Sequence, residues 1–297
     1  MIKKLIMALF VAIFSVSCQD ESSMKDLSIQ SETPDLIGDY HNEILKNFIV
    51  YYSQDVQSTG SNTSDFVQIM ANYGVAVLKT YKNDPPSSNI DKWVEGVLNK
   101  SLDSTQLKII EILGTGRSMS EAIEIVFGAD KISSIVKSYL IELNRTIDQY
   151  KGTPSFQDKV NIIRARYYGS ASQDDRTIIT WTSILAKGSH EYWNQECNNW
   201  NPSLKGRFWD FGKRVLVADA IGGLEYILAT KIGLIAGPIS WKIGAAYAAL
   251  NSVLAGVEDI LLNTQSRSSI TEETIKNISK EEIYKAYLKR KAELGIN

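Results

Sequence analysis

Residues 215–256, VLVADAIGGLEYILATKIGLIAGPISWKIGAAYAALNSVLAG, place the tightest constraint on how this chain can fold. They are the most apolar and glycine-rich residues outside the extreme N-terminus, yet Asp219, Glu225, Lys231 and Lys242 interrupt them. The longest uncharged run, Ile243 to Val257, is fifteen residues, below the roughly 18 to 20 that a membrane-spanning helix needs. Each central charge would cost about 2.5 to 3.5 kcal/mol in hydrocarbon, and Gly237-Pro238 ends a helix midway. The stretch therefore predicts a buried hairpin of two helices turning near Gly237-Pro238. Small residues four apart (Gly233 and Gly237, Gly244 and Ala248, Ala245 and Ala249, Ser252 and Gly256) allow the backbones to approach closely. Lys231 and Lys242 flank the turn and are expected to reach solvent there.

Elsewhere apolar residues recur at spacings of three and four, and no run of alternating β-branched residues occurs. Leu36, Ile37, Tyr40, Ile44, Phe48 and Tyr51 make one helix face, opened by Thr33-Pro34 as N-cap and first helical residue. Phe66, Ile69, Met70, Tyr73, Val77 and Leu78 make a second, which Asp84-Pro85-Pro86-Ser87-Ser88 breaks. Further helices are predicted at 90–100, 104–113, after the Ser118/Glu121 capping box, and at 130–151, 155–169 and 175–194. Two more follow near the C-terminus, the last opened by a capping box at Ser279 and Glu282. The Asn-rich segment 194–206 reads as a long loop. The expected fold is all-α: an irregular helical bundle built around the Gly/Ala-rich hairpin, with residues 34–297 as a single domain.

The N-terminus carries Lys3 and Lys4, then an uncharged run from Leu5 to Ser17, the pattern of a secretory signal peptide over residues 1–17. Ser15-Val16-Ser17-Cys18 resembles the lipobox of bacterial lipoproteins, with Ser in place of the usual Leu. That resemblance implies cleavage before Cys18, lipidation of its thiol by several acyl chains, and anchorage of the protein in the outer membrane. Gln19-Asp20-Glu21 is similar to the export signal of Bacteroidota surface lipoproteins, which implies display at the cell surface. Residues 18–33 then serve as a lipidated Cys and a polar, Ser-rich tether.

Composition narrows the partners. The chain has 32 basic and 34 acidic residues, a formal net charge of −2, and losing Lys3 and Lys4 with the leader makes the body slightly more acidic. That balance offers no footprint for nucleic acid. With Cys18 lipidated, Cys197 stands alone, so the fold rests on its core without a disulfide framework. The chain is 44% hydrophobic, ample for a large core.

Three short motifs stand out: Gly38-Asp39-Tyr40-His41-Asn42-Glu43, Ser189-His190-Glu191-Tyr192-Trp193 and Asp219-Ala220-Ile221-Gly222-Gly223. Their order resembles a loosely defined set of secreted bacterial proteins and lipoproteins with bacteriocin-like Gly/Ala-rich tails. The resemblance implies no reaction and lends no catalytic residue.

Chemistry-bearing residues are few. His41 and His190 are the two histidines, and with neighbouring carboxylates they are weak candidates for a metal site. The competing reading has them as partly buried side chains bonded to backbone or, for His41, to Asn42. No G-x-S-x-G, Walker-type or G-x-G-x-x-G loop occurs. Tyr192, Trp193, Trp200 and Trp209, near the Asn-rich segment, are candidates for stacking on a ligand, against the reading that they fill helix junctions. No cofactor is expected. The reading that follows is a lipid-anchored envelope protein acting by binding an unknown protein or glycan. One alternative is a membrane-active, bacteriocin-like effector using residues 215–256, and another is a metal-dependent hydrolase using His41 and His190.

Overall fold

The computed structural model describes residues 33–59, 66–103, 132–199, 215–220, 238–262 and 277–296, with Glu121, Glu124 and Gly222. Among these residues every regular element is an α-helix and there is no strand. Helix α1 (Thr33–Thr59) starts at the Thr33-Pro34 pair and buries Ile37, Ile44, Leu45 and Phe48. Helix α2 (Phe66–Tyr81) is buried almost all round, which makes it the central helix of the bundle. The two prolines at 85–86 separate it from α3 (Ile90–Lys100), where the Asn89 side chain accepts the Lys92 N–H at 3.0 Å.

Helix α4 (Ser134–Tyr150) is capped by Ser133 and is followed by Gly152 with φ 73°, a left-handed residue that a side chain would strain. Helices α5 (Phe156–Tyr168) and α6 (Gln173–Asn199) come next, then a helical segment at 215–220, α7 (Pro238–Leu262) and α8 (Lys280–Glu293). The capping box is present at α8, where Ser279 Oγ accepts the Glu282 N–H at 3.1 Å.

Two expectations need correction. The predicted loop at 194–206 is helical as far as Asn199. Tyr192 and Trp193 are buried in the core, and that packing carries α6 on through asparagines whose own helix propensity is low. Lys242 does not stand in solvent: its residue is 4% exposed. Its stem lies in the core and Nζ meets the exposed Asp84, 2.5 Å from the carboxylate and 2.8 Å from the carbonyl oxygen. Lys231 and the predicted helices at 104–113 and after Ser118 fall wholly or mostly outside the described residues.

Helix α2 runs antiparallel to α7. Tyr73 donates its hydroxyl to Ala246 O at 2.5 Å and Tyr81 to Lys242 O at 2.8 Å. Alanines on α7 leave those carbonyls within reach, and burial raises both phenols well above their ordinary pKa. Helix α8 crosses α2 at Gly74, where a Cβ would stand 2.9 Å from Tyr287 Cδ2 and 3.0 Å from Leu98 Cδ1. Arg290 fastens α8 by donating to Asn72 Oδ1 at 2.9 Å and to Tyr51 O at 3.1 Å.

A second group joins α4, α5 and α6 through Tyr139 with Ser183 at 2.6 Å, Gln157 with Lys187 O at 3.1 Å, and Glu142 with Arg166 and Tyr167. Helix α1 spans both groups. It bonds α2 through Asn47 and Thr80 and meets α6 at Gly38 and Gly188, where a Cβ on Gly188 would lie 3.1 Å from Gly38 Cα. Through these packings Pro34–Asn297 forms one compact unit.

Candidate functional site

The Gly38/Gly188 crossing brings the backbones of α1 and α6 together beside His41. Asn42 donates its amide Nδ2–H to Gly188 O at 3.0 Å, which turns its Oδ1 toward His41 Nδ1 at 2.9 Å. That oxygen can only accept, so Nδ1 carries a proton. On the other side of the ring, Nε2 stands 3.2 Å from Asp219 Oδ1 and 3.3 Å from Ser252 Oγ. Ser252 also donates to Asp219 Oδ1. A carboxylate facing Nε2 favours a proton there as well, which makes the arrangement an imidazolium–carboxylate pair wherever Asp219 is ionised.

Both side chains are fully buried. Burial works against charge on His41, but the Asp219 charge and the hydrogen bonds that the ring donates to Asp219 and Asn42 outweigh it and raise its pKa. Burial pushes the Asp219 carboxyl upward, opposed by His41 and by the nearby Ser189 hydroxyl. The pair links α1, the segment at 215–220 and α7. A charge left alone at this depth costs several kcal/mol, so each member holds the other in place.

Ser252, His41 and Asp219 are the residue types of an acyl-transfer triad, but their geometry is not that of one. In a triad the serine and the carboxylate bind opposite nitrogens of the imidazole. Here both share Nε2, Nδ1 belongs to Asn42, and no member opens to solvent. The arrangement can orient and hold segments of the chain, and it presents no nucleophile to a substrate.

His190 is one residue beyond Ser189 but faces the other way. Its ring stacks on Phe156 with centroids 4.2 Å apart, and Nε2 accepts the Gly152 N–H at 3.2 Å. The ring is thus neutral and protonated on Nδ1, closing the turn between α4 and α5. Burial lowers its pKa to about 4. The two histidines therefore have separate partners and do not converge. Among the described residues no group of three or more His, Cys, Asp or Glu stands close enough to hold a metal ion, and no helix is long and apolar enough to cross a membrane.

Tyr192 and Trp193 meet edge to face at 5.0 Å within the core, where neither offers an open ring face. Cys18, Trp200 and Trp209 lie outside the described residues. The three motifs converge: Gly38, His41 and Asn42 from the first, Ser189 from the second, and Asp219 from the third surround one buried point. Gly222, also from the third, lies against α7, where a Cβ would stand 3.1 Å from Ala248 Cα and collide with the Asn251 amide. Ser252 and Asn251 carry no motif. Beyond the Ser252/Gly256 spacing, their sequence signal is a polar pair inside an otherwise Gly/Ala-rich run.

Compared with known proteins, the chain matches no family model, no curated protein and no solved structure.

Proposed function

We propose that this is a lipid-anchored lipoprotein of the bacterial cell envelope, held at the outer membrane through Cys18 and displayed at the cell surface. It acts by binding a protein or glycan and catalyses no reaction. The observation that carries the anchor is the leader itself: Lys3-Lys4, the apolar run and the small residues before Cys18. The commitment of His41, Asp219 and His190 to holding helices together speaks against the alternative of a metal-dependent hydrolase using His41 and His190, since groups held in this way are not free to move protons for a substrate.

The finer architecture belongs to the same proposal. Residues 215–256 form a buried helical hairpin turning near Gly237-Pro238. Pro238 opening α7, and the antiparallel order in which Asp219 meets Ser252 and Gly222 meets Ala248, support it. The test is Cys18→Ala followed by cell fractionation. The variant should leave the membrane fraction; unchanged membrane association would instead mean that the leader is retained as a helix. Leakage of dye from liposomes on addition of the protein would replace the binding role by a membrane-active one.

A further inference from the structure

Around the His41–Asp219 pair, several buried polar atoms have no hydrogen-bond partner among the described residues: Asp219 Oδ2, Ser189 Oγ, and both Oδ1 and Nδ2 of Asn251. All three residues are 0% exposed. They are neighbours in the fold. Ser189 lies close enough to favour charge on Asp219, and Asn251 precedes Ser252, which bonds Asp219. The Asn251 amide also covers Gly222, one helical turn beyond Asp219. Polar groups this deep are satisfied in folded proteins by protein or by bound solvent.

We propose that Asp219, Ser189 and Asn251 form an internal binding site for a small neutral molecule that both donates and accepts hydrogen bonds, and that its occupant is water. The class follows from what each atom requires. Asp219 Oδ2 and Asn251 Oδ1 accept only, so the occupant donates to them. Asn251 Nδ2 donates, so the occupant also accepts. A metal cation offers nothing for Nδ2–H, and an anion would face the Asp219 carboxylate. The His41–Asp219 pair is already neutral as a unit, so no further charge is needed. Water supplies both roles in the smallest volume. Bound there, it joins α6, the segment at 215–220 and α7, completing the polar contacts between these segments.

Three measurements on the full chain test this. Oxygen-17 magnetic relaxation dispersion should show at least one more long-lived internal water in the wild type than in Asn251→Leu, which fills the space with an apolar side chain. Equal dispersion in the two would overturn the site. A high-resolution crystal structure of the wild type gives a reading that does not depend on the variant folding. Density at hydrogen-bonding distance from Asp219 Oδ2 and Asn251 is expected; no density there, or density at cation-coordination distances, would overturn the proposal. The thermal midpoint should be the same in potassium, sodium and choline chloride at equal ionic strength, and a rise specific to either metal ion would replace water by that cation.

Discussion

His41 Nε2 lies 3.2 Å from Asp219 Oδ1, with both side chains fully buried, and this contact joins the first helix to the start of the Gly/Ala-rich region. Removing one partner leaves the other charged and unpaired, so His41→Leu or Asp219→Leu alone should each cost about 3 to 5 kcal/mol. The double variant should cost much less than the sum of the two. Urea denaturation of all four proteins measures this coupling, and additive costs would mean that the pair is not ionised together.

The two histidines should give stability opposite dependences on pH. The pKa of His190 is lowered to about 4, so between its ordinary 6.5 and 4 the unfolded chain takes up a proton that the folded chain refuses. Stability falls as pH drops through that window, by about 1 to 2 kcal/mol once solvent screening is counted. His190→Gln should flatten that fall in Tm. The pKa of His41 is raised, so its contribution is full below pH 6.5 and is lost as pH rises through the folded value. Ionisation of Asp219, whose pKa is also raised, likewise weakens the fold as pH rises from 3.8. His41→Gln should therefore flatten the loss above pH 6.5, and a slope like that of the wild type would contradict the charged imidazole.

Three glycines should respond differently to alanine. A Cβ on Gly188 would lie 3.1 Å from Gly38 Cα, and one on Gly222 would stand 3.1 Å from Ala248 Cα and strike the Asn251 amide. Either substitution should cost about 1 to 3 kcal/mol by overpacking. Gly96 lies within α3 with nothing within 4 Å of its Cβ position. Gly96→Ala should add about 0.5 to 1 kcal/mol by lowering the entropy of the unfolded chain. Thermal melts rank the three, and a stabilising Gly188→Ala would show that the α1–α6 crossing is looser than described.

Arg290, 8% exposed, also lies 3.3 Å from Glu293 and 4.0 Å from Asp55. Arg290→Ala strips α8 of its bonds to Asn72 and Tyr51 and should cost about 3 kcal/mol. Limited proteolysis should then cut first within 277–296. Cleavage no faster than in the wild type would mean that Tyr287 and Lys291, both bonded to Asp91, are enough to hold the helix.

Much of the helical framework was legible from residue order because its signals are local. The 3.6-residue period, the cap at Ser279 and the prolines at 85–86 act within a few residues of themselves, and α8 and the end of α2 lie where they predict; α4 starts at Ser134, after its Ser133 cap, and not at the expected residue 130. The bond from His41 to Asn42 was legible for the same reason. The reach of α6 to Asn199 was not, since it depends on Tyr192 and Trp193 being buried by distant helices.

Helical character and the approximate place of most described helices can be read from residue order alone, because periodicity, capping and hydrophobic burial are written in neighbouring residues. The meeting of Asp219 and Ser252 with His41, the end of Lys242 on Asp84 and the place of His190 at the α4–α5 turn come from the packed fold. Those pairings join residues far apart in the chain, and their energies come from burial and charge at contacts that exist only once the helices have packed.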